Sequence, residues 1–381
     1  MKRRAWLVGA AVAGITVVAG GAAFVLSRTP ERAQRPWRAA GGAEDDPRLR
    51  ALSWAILAPN PHNRQPWVAR LEGADAIAIH CDLDRRLPET DPFDRQIVIG
   101  LGCFLELLRM AAAAEGRSAR IAPFPDGAGD DRLDGRPVAR IVLAADGATP
   151  DPLFAHARDR RTNRAAYDPD RPVPAAMLAR LAGATAPRCR LETTGDPVLV
   201  GRLRALAWRA FEREITTART WRETIDLMRI GKAEIETAPD GIAIRGPLVE
   251  ALAIAGLFGR SAIAEPSSPT FRRMAGGIRA AMDATPAYAW IVSAGNRRTD
   301  QLDAGRDWLR LNLAATAAGL SIQPLSQALQ EFPEMAGPRA EMRAALAVGD
   351  GETLQMFGRL GHGPPVEPSP RWPLASRIGT A

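Results

Sequence analysis

The chain has 381 residues, 46% hydrophobic and 24% charged, enough for one large or two smaller domains around a substantial core. Its formal charge is +7, but 50 Lys and Arg are dispersed among 43 Asp and Glu with no long basic block, which argues against a nucleic-acid partner. The three cysteines (Cys81, Cys103, Cys189) and four histidines (His62, His80, His156, His362) lack the spacing of a disulfide framework or a metal site.

Lys2-Arg3-Arg4 precedes an apolar run, Ala5 to Leu26, that is long enough to cross a bilayer. Arg3-Arg4-Ala5-Trp6-Leu7 resembles a twin-arginine signal. Small residues Gly20 to Ala23 lie inside the run and no clear Ala-x-Ala follows, so a retained anchor and a cleaved signal both stay open. Ser27 to Asp46 is polar and reads as a linker. Residues 1–46 are therefore expected to be signal or membrane anchor plus linker, contacting the membrane through this N-terminal segment. The body is expected on the periplasmic side of the inner membrane.

Asp46 to Leu57 reads as a helix that Pro59 and Pro61 terminate. The loop Ala58-Pro59-Asn60-Pro61-His62-Asn63-Arg64-Gln65-Pro66-Trp67 follows. Its amides Asn60, Asn63 and Gln65 each carry donor and acceptor groups, which suits either the edge of a planar heterocycle or the capping of a turn. Strands are expected at Trp67–Leu71, Ala76–His80, Arg120–Phe124 and Ala139–Leu143, with a turn at Asp91–Asp94. Gly102 to Gly116 is strongly helical and closed by its C-terminal glycine. Gly305 to Gly319 repeats that helix over the same length, and a strand candidate precedes each of them.

Between these repeats, a helix from Pro152 is expected to end in Arg160-Arg161-Thr162-Asn163-Arg164. Guanidinium and hydroxyl donors in alternation can grip a phosphate, or form a solvated helix end. A second helix is expected from Pro172 and a strand from Cys189. Residues 215–277 are dense in Pro and Gly and read as an inserted lid. After Gly319 comes Gln323-Pro324-Leu325-Ser326-Gln327, then a helix over Ala328–Leu346, and the tail holds Pro370-Arg371-Trp372-Pro373-Leu374. No Ser-His-Asp, P-loop or Gly-x-Gly-x-x-Gly pattern is present, and no catalytic side chain is singled out.

Ala-Pro-x-x-x-Asn-x-Gln-Pro-Trp resembles the flavin-edge loop of the nitroreductase superfamily, and Pro-His-Asn before Gln-Pro-Trp resembles its Acg-type FMN-binding branch. Nitroreductases usually carry Ser where this chain has Asn60. The resemblance implies an α+β fold in which halves 47–150 and 151–381 form a fused pseudo-dimer, with lid 215–277 and tail 350–381. It also implies a monomer binding one FMN, with NAD(P)H as a transient donor and a small-molecule electron acceptor of nitro or quinone type. The alternative is a protein that sequesters flavin beneath the lid. Contacts carried over by motif are Asn60, Asn63, Gln65, Arg160, Arg161, Thr162 and Arg164, the loop Pro324, Leu325 and Ser326, and Arg371 for the phosphate.

Overall fold

The computed structural model describes residues 28–42, 44–129, 131–184 and 188–379. The expected signal or anchor at 5–26 lies outside the described residues. Where a linker was expected, the chain forms helix α1 (Glu31–Ala39), with Ala33, Gln34, Pro36 and Trp37 buried. Its arginines mask a short inward face of Ala33, Trp37 and Ala40 at helical spacing. Trp37 Nε1 donates to Ser369 O (2.7 Å), which ties this helix to the C-terminal tail.

Helix α2 (Pro47–Ala55) starts with Pro at its first position and with the Asp46 carboxylate accepting from Arg48 N–H. Strands β1 (Trp67–Glu72) and β2 (Ala76–Cys81) pair as a tight hairpin. Then come α3 (Arg95–Ala114), β3 (Ser118–Pro123) and β4 (Pro137–Ala144). The four strands make an antiparallel sheet of order β1-β2-β4-β3.

The second half opens with α4 (Ala175–Ala184) and β5 (Arg190–Thr194). A long insertion carries α5 (Pro197–Thr216), α6 (Ala218–Asp226), β6 (Met228–Ile230), α7 (Gly231–Thr237), β7 (Ile242–Ile244), α8 (Pro247–Ile254), α9 (Arg260–Ala264) and α10 (Pro269–Asp283). After it come β8 (Ala287–Ser293), α11 (Arg298–Ala317), β9 (Ser321–Pro324), α12 (Ala336–Ala345) and β10 (Thr353–Gly361). The second sheet has order β5-β8-β10-β9, the order of the first with each strand in its counterpart's place. The architecture is α+β, with two like halves in one polypeptide.

Helices α3 and α11 are both 20 residues long and cross at their glycines. A Cβ on Gly102 would collide with Leu302 O, and one on Gly305 with Ile99 O. Gly102 and Gly305 hold the same position in their helices, as do Ile99 and Leu302, so the crossing is two-fold in character. Both helices begin earlier than expected, at Arg95 and Arg298, because these glycines are interior contact points rather than starts. A core that includes both helices fills the space between the sheets.

The insertion replaces the short β1–β2 turn of the first half and extends beyond 215–277 to include α5 and all of α10. Val200, Leu203 and Phe271 from these helices cover Tyr288, Trp290 and Phe357 of the second sheet in a separate core. Two expected helices are shorter than their sequences implied. Pro152–His156 is a single 3₁₀ turn, leaving 160–164 without helix, and helix α12 starts only at Ala336, after Pro333 interrupts the run. The tail ties back to the first half, where Gly379 N–H donates to Ala69 O (2.9 Å) beside edge strand β1. Within the second half, Asn163 N–H donates to Ile322 O (3.0 Å) of β9.

Candidate functional site

At its C-terminus α2 leaves carbonyls without helical partners, as any helix does. Arg371, only 1% exposed, occupies that end. Its Nε donates to Ile56 O (2.8 Å) and its Nη2 to Leu57 O and Ala58 O (both 3.0 Å). Its Nη1 donates to Asn63 Oδ1 (2.5 Å) and Pro370 O (2.9 Å). All five guanidinium N–H groups are thereby committed. The tail arginine expected on a phosphate instead clamps the start of the loop, because five carbonyl-type acceptors already surround it.

The loop itself holds His62, Asn63 and Gln65 at φ of 46°, 53° and 51°, left-handed values uncommon for non-glycine residues, with Arg64 between them right-handed. Asn60 Oδ1 accepts from Gln65 N–H (2.7 Å). The Gln65 side chain, fully buried, donates to Pro239 O (2.7 Å) and accepts from Trp372 N–H (2.9 Å). Against helix α3 the loop lies flush: a Cβ on Gly100 would sit 3.0 Å from Pro61 Cδ and 3.1 Å from Asn60 Cβ.

Between this loop, the helix crossing and the insertion lies a cavity of about 390 Å³, within the usual range of ligand pockets. Asn60, Asn63, Arg160, Arg161, Thr162, Arg164, Pro324, Ser326 and Arg371 all line it, brought together from four separate stretches of chain. Two residues expected with them do not. Gln65 is turned into the loop's own hydrogen bonds, and Leu325 is 3% exposed with its N–H committed to Phe357 O (2.9 Å). Next to it, the backbone N–H groups of Ser326 and Gln327 donate to no protein acceptor among the described residues.

One end of the cavity is cationic and under-compensated. Arg160 is 1% exposed, and the only hydrogen bond of its side chain among the described residues runs from Nη2 to Leu57 O (3.0 Å). Its Nε and Nη1 are buried without partners among the described residues. Burial, with the neighbouring Arg161 charge, pushes its pKa down to about 10. The guanidiniums of Arg160, Arg161 and Arg371 lie 5.5, 4.9 and 5.4 Å from the ring of Trp37, close enough for cation–π attraction. Arg161 otherwise bonds to the carbonyls of Arg158 and Arg160, and Arg164 makes no hydrogen bond or ion pair among the described residues. Glu367 is the one carboxylate on the wall among the described residues. Buried donors facing such a surplus of positive charge fit an anionic group such as a phosphate.

Several lining residues were not expected. Arg245, Gly241 and Ala243 come from the insertion, and Trp308, Gln96 and Cys103 from the crossing helices. His62 also lines the cavity with its Nδ1 unpaired; burial first, then Arg164 and Arg64, lower its pKa to about 4, so the ring is neutral at pH 7. Only His62 carried a local signal, its place inside the loop motif. The insertion is fastened over the loop by Asp240, 6% exposed, whose carboxylate meets Arg64 (2.5 Å), Arg85 (3.1 Å) and Arg229 (3.6 Å). Gly241 N–H adds a bond to Asn63 O (3.2 Å).

No protein-family model matches the chain. It is 30% identical over 352 residues to Rv3131 of Mycobacterium tuberculosis H37Rv, a protein whose name assigns it as an NAD(P)H nitroreductase, covering 86% of this chain and 89% of that one. A shorter match, 38% identical over 76 residues, links 20% of this chain to acg of the same strain, which carries the same assignment. Among solved structures, the FMN-dependent nitroreductase NfnB from Mycobacterium smegmatis in complex with NADPH aligns over 58% of this chain and 95% of its own, with 19% identity and a TM-score of 0.36. A nitroreductase-type structure from Anabaena variabilis aligns over 76% of this chain and 69% of its own, with 14% identity and a TM-score of 0.39.

Proposed function

Since the chain belongs to the nitroreductase family, we propose that its cavity holds one FMN and serves electron transfer from NAD(P)H to a small nitro- or quinone-type acceptor. The observation that carries this reading is Arg160, a buried guanidinium with two unpaired nitrogens facing a cavity of flavin-compatible size. Arg160, Thr162 and Arg164 would hold the phosphate, with Arg161 and Arg245 adding positive charge. Asn60, Asn63 and the free N–H groups of Ser326 and Gln327 would meet the polar edge of the ring system. Arg371 acts through the loop, fixing its carbonyls and Asn63. Neutral His62 can donate or accept a hydrogen bond at the ring. FMN, when bound, supplies the hydride chemistry, and the chain binds, orients and shields it. Because both halves and the insertion line a single cavity, one polypeptide suffices for one site, and the reading takes the protein to work as a monomer.

The test is the visible spectrum of the purified full chain, followed by acid release of its chromophore. FMN at close to one per chain is the expected result. Colourless protein that cannot be reconstituted would sink the proposal, and two FMN per chain would refute the single site.

A second reading, flavin storage without turnover, is favoured by one specific observation. The Asp240 ion pairs and the Gly241 and Gln65 bonds hold the insertion across the loop that frames the cavity. Hydride transfer needs the donor ring within about 3–3.5 Å of its acceptor. If the cover excludes the nicotinamide, NADPH should bleach the flavin far more slowly than dithionite does, and Asp240→Asn should speed the NADPH reaction. Bleaching by NADPH within seconds in the intact protein leaves an ordinary reductase.

A further inference from the structure

Helix α8 of the insertion has inverted polarity. Its outward positions Leu248, Ala251, Ile254 and Ala255 recur at helical spacing, and Leu257 extends the same surface beyond its end. Leu248 and Ile254 are 72% exposed and Leu257 is 69% exposed, the largest such cluster among the described residues. The one acidic side chain of the helix, Glu250, points inward and is 5% exposed. There it accepts from Lys232 N–H (3.1 Å) and from Arg28 Nη1 (3.4 Å). A soluble surface helix normally shows the reverse arrangement, and a contiguous exposed apolar face marks a contact with something apolar.

Arg28 identifies that partner. It stands two residues after Leu26, the last residue of the apolar run that follows Lys2-Arg3-Arg4. Two residues of extended chain span at most about 7 Å. With the reach of the Arg28 and Glu250 side chains added, α8 thus lies within about 20 Å of the end of that apolar run. We infer that the outward face of α8, with Leu257, lies on the surface of a lipid bilayer, seating the insertion at the membrane interface. Apolar side chains in this position enter the region between headgroups and acyl chains, as those of interfacial helices do. The same short stretch, Gly241 to Arg245, lines the cavity just before α8 begins, so lipid contact and cavity wall are joined without an intervening loop of any length.

The experiment uses the full chain reconstituted into phosphatidylcholine–phosphatidylglycerol vesicles, with Cys189→Ser removing the half-buried thiol and Cys81 and Cys103 left buried. Leu257→Cys carries an environment-sensitive fluorophore, and Val198→Cys on α5, 82% exposed and far from this face in sequence, carries the same label as the aqueous control. The label at 257 is expected to shift to the blue and to be quenched several-fold more strongly by nitroxide lipids than the label at 198. Equal, weak quenching at both positions overturns the inference. So does a blue-shifted label at 257 that nitroxide lipids leave unquenched, since residues 5–26 or a second copy of the chain would then cover the face. Absorbance of the same preparation above 400 nm reports flavin separately, so the two proposals fail independently.

Discussion

Arg160→Met removes a guanidinium that is 1% exposed and keeps a side chain of similar reach. Burial and Arg161 hold the Arg160 pKa at about 10 instead of 12.5. At about 1.36 kcal/mol per unit, the charge costs the ligand-free fold about 3 kcal/mol at pH 7. For a base with a depressed folded-state pKa, that penalty is present at every pH below about 10 and fades as pH rises toward 12.5. Losing the bond to Leu57 O gives back about 1 kcal/mol. The ligand-free variant should therefore be more stable than the wild type by about 2 kcal/mol, read as a higher urea midpoint. Flavin binding should move the other way. Two charge-assisted donors to a phosphate are worth roughly 1.5–3 kcal/mol each, so FMN affinity should fall at least about 100-fold. Riboflavin, which has no phosphate, should lose little. An FMN affinity unchanged by the substitution, or a ligand-free variant less stable than the wild type, would refute the assignment of Arg160 as a phosphate ligand.

Arg371→Met should behave in the opposite way: five satisfied donors vanish, the ligand-free protein loses about 3–5 kcal/mol, and FMN and riboflavin weaken alike. A selective loss of FMN, seen by titration, would restore Arg371 to the phosphate. Gly102→Ala gains about 1 kcal/mol of helix propensity but drives a methyl into Leu302 O, so thermal unfolding should show a net destabilisation of about 1–3 kcal/mol; a rise in Tm would mean the helices do not cross there. Glu214, 3% exposed and bonded to Gln330 Nε2 (2.7 Å), has its pKa raised to about 7, first by burial. A carboxyl raised in this way loses the protein stability as pH climbs from its unfolded value near 4.5 through 7. Glu214→Gln should thus be more stable than the wild type by up to about 3 kcal/mol at pH 8 and show no gain at pH 4; urea midpoints that differ equally at both values would contradict this.

Local chemistry determined much of this protein by itself. Alternating apolar residues identify β1, β2 and β4, prolines 59 and 61 end α2, and Gly116 and Gly319, both at φ of about +70°, close the two long helices. The repeat of Gly102 and Gly305 in matching surroundings signals two like halves, and the loop and arginine motifs signal one site. These features depend on neighbours a few residues away, and that is the range a sequence pattern records. Tertiary structure alone decided how the polar groups of the site are spent. Gln65 faces Pro239 and Trp372, Leu325 joins Phe357, and Arg371 caps a helix more than three hundred residues earlier in the chain, leaving Arg160 and Arg164 as the open cations. It also turned an arginine-rich linker into α1, because Trp37 finds a buried place beneath three guanidiniums that come from distant segments. A donor bonds to whichever acceptor the folded chain brings within about 3 Å, and residue type says what a side chain can bond but not which acceptor arrives.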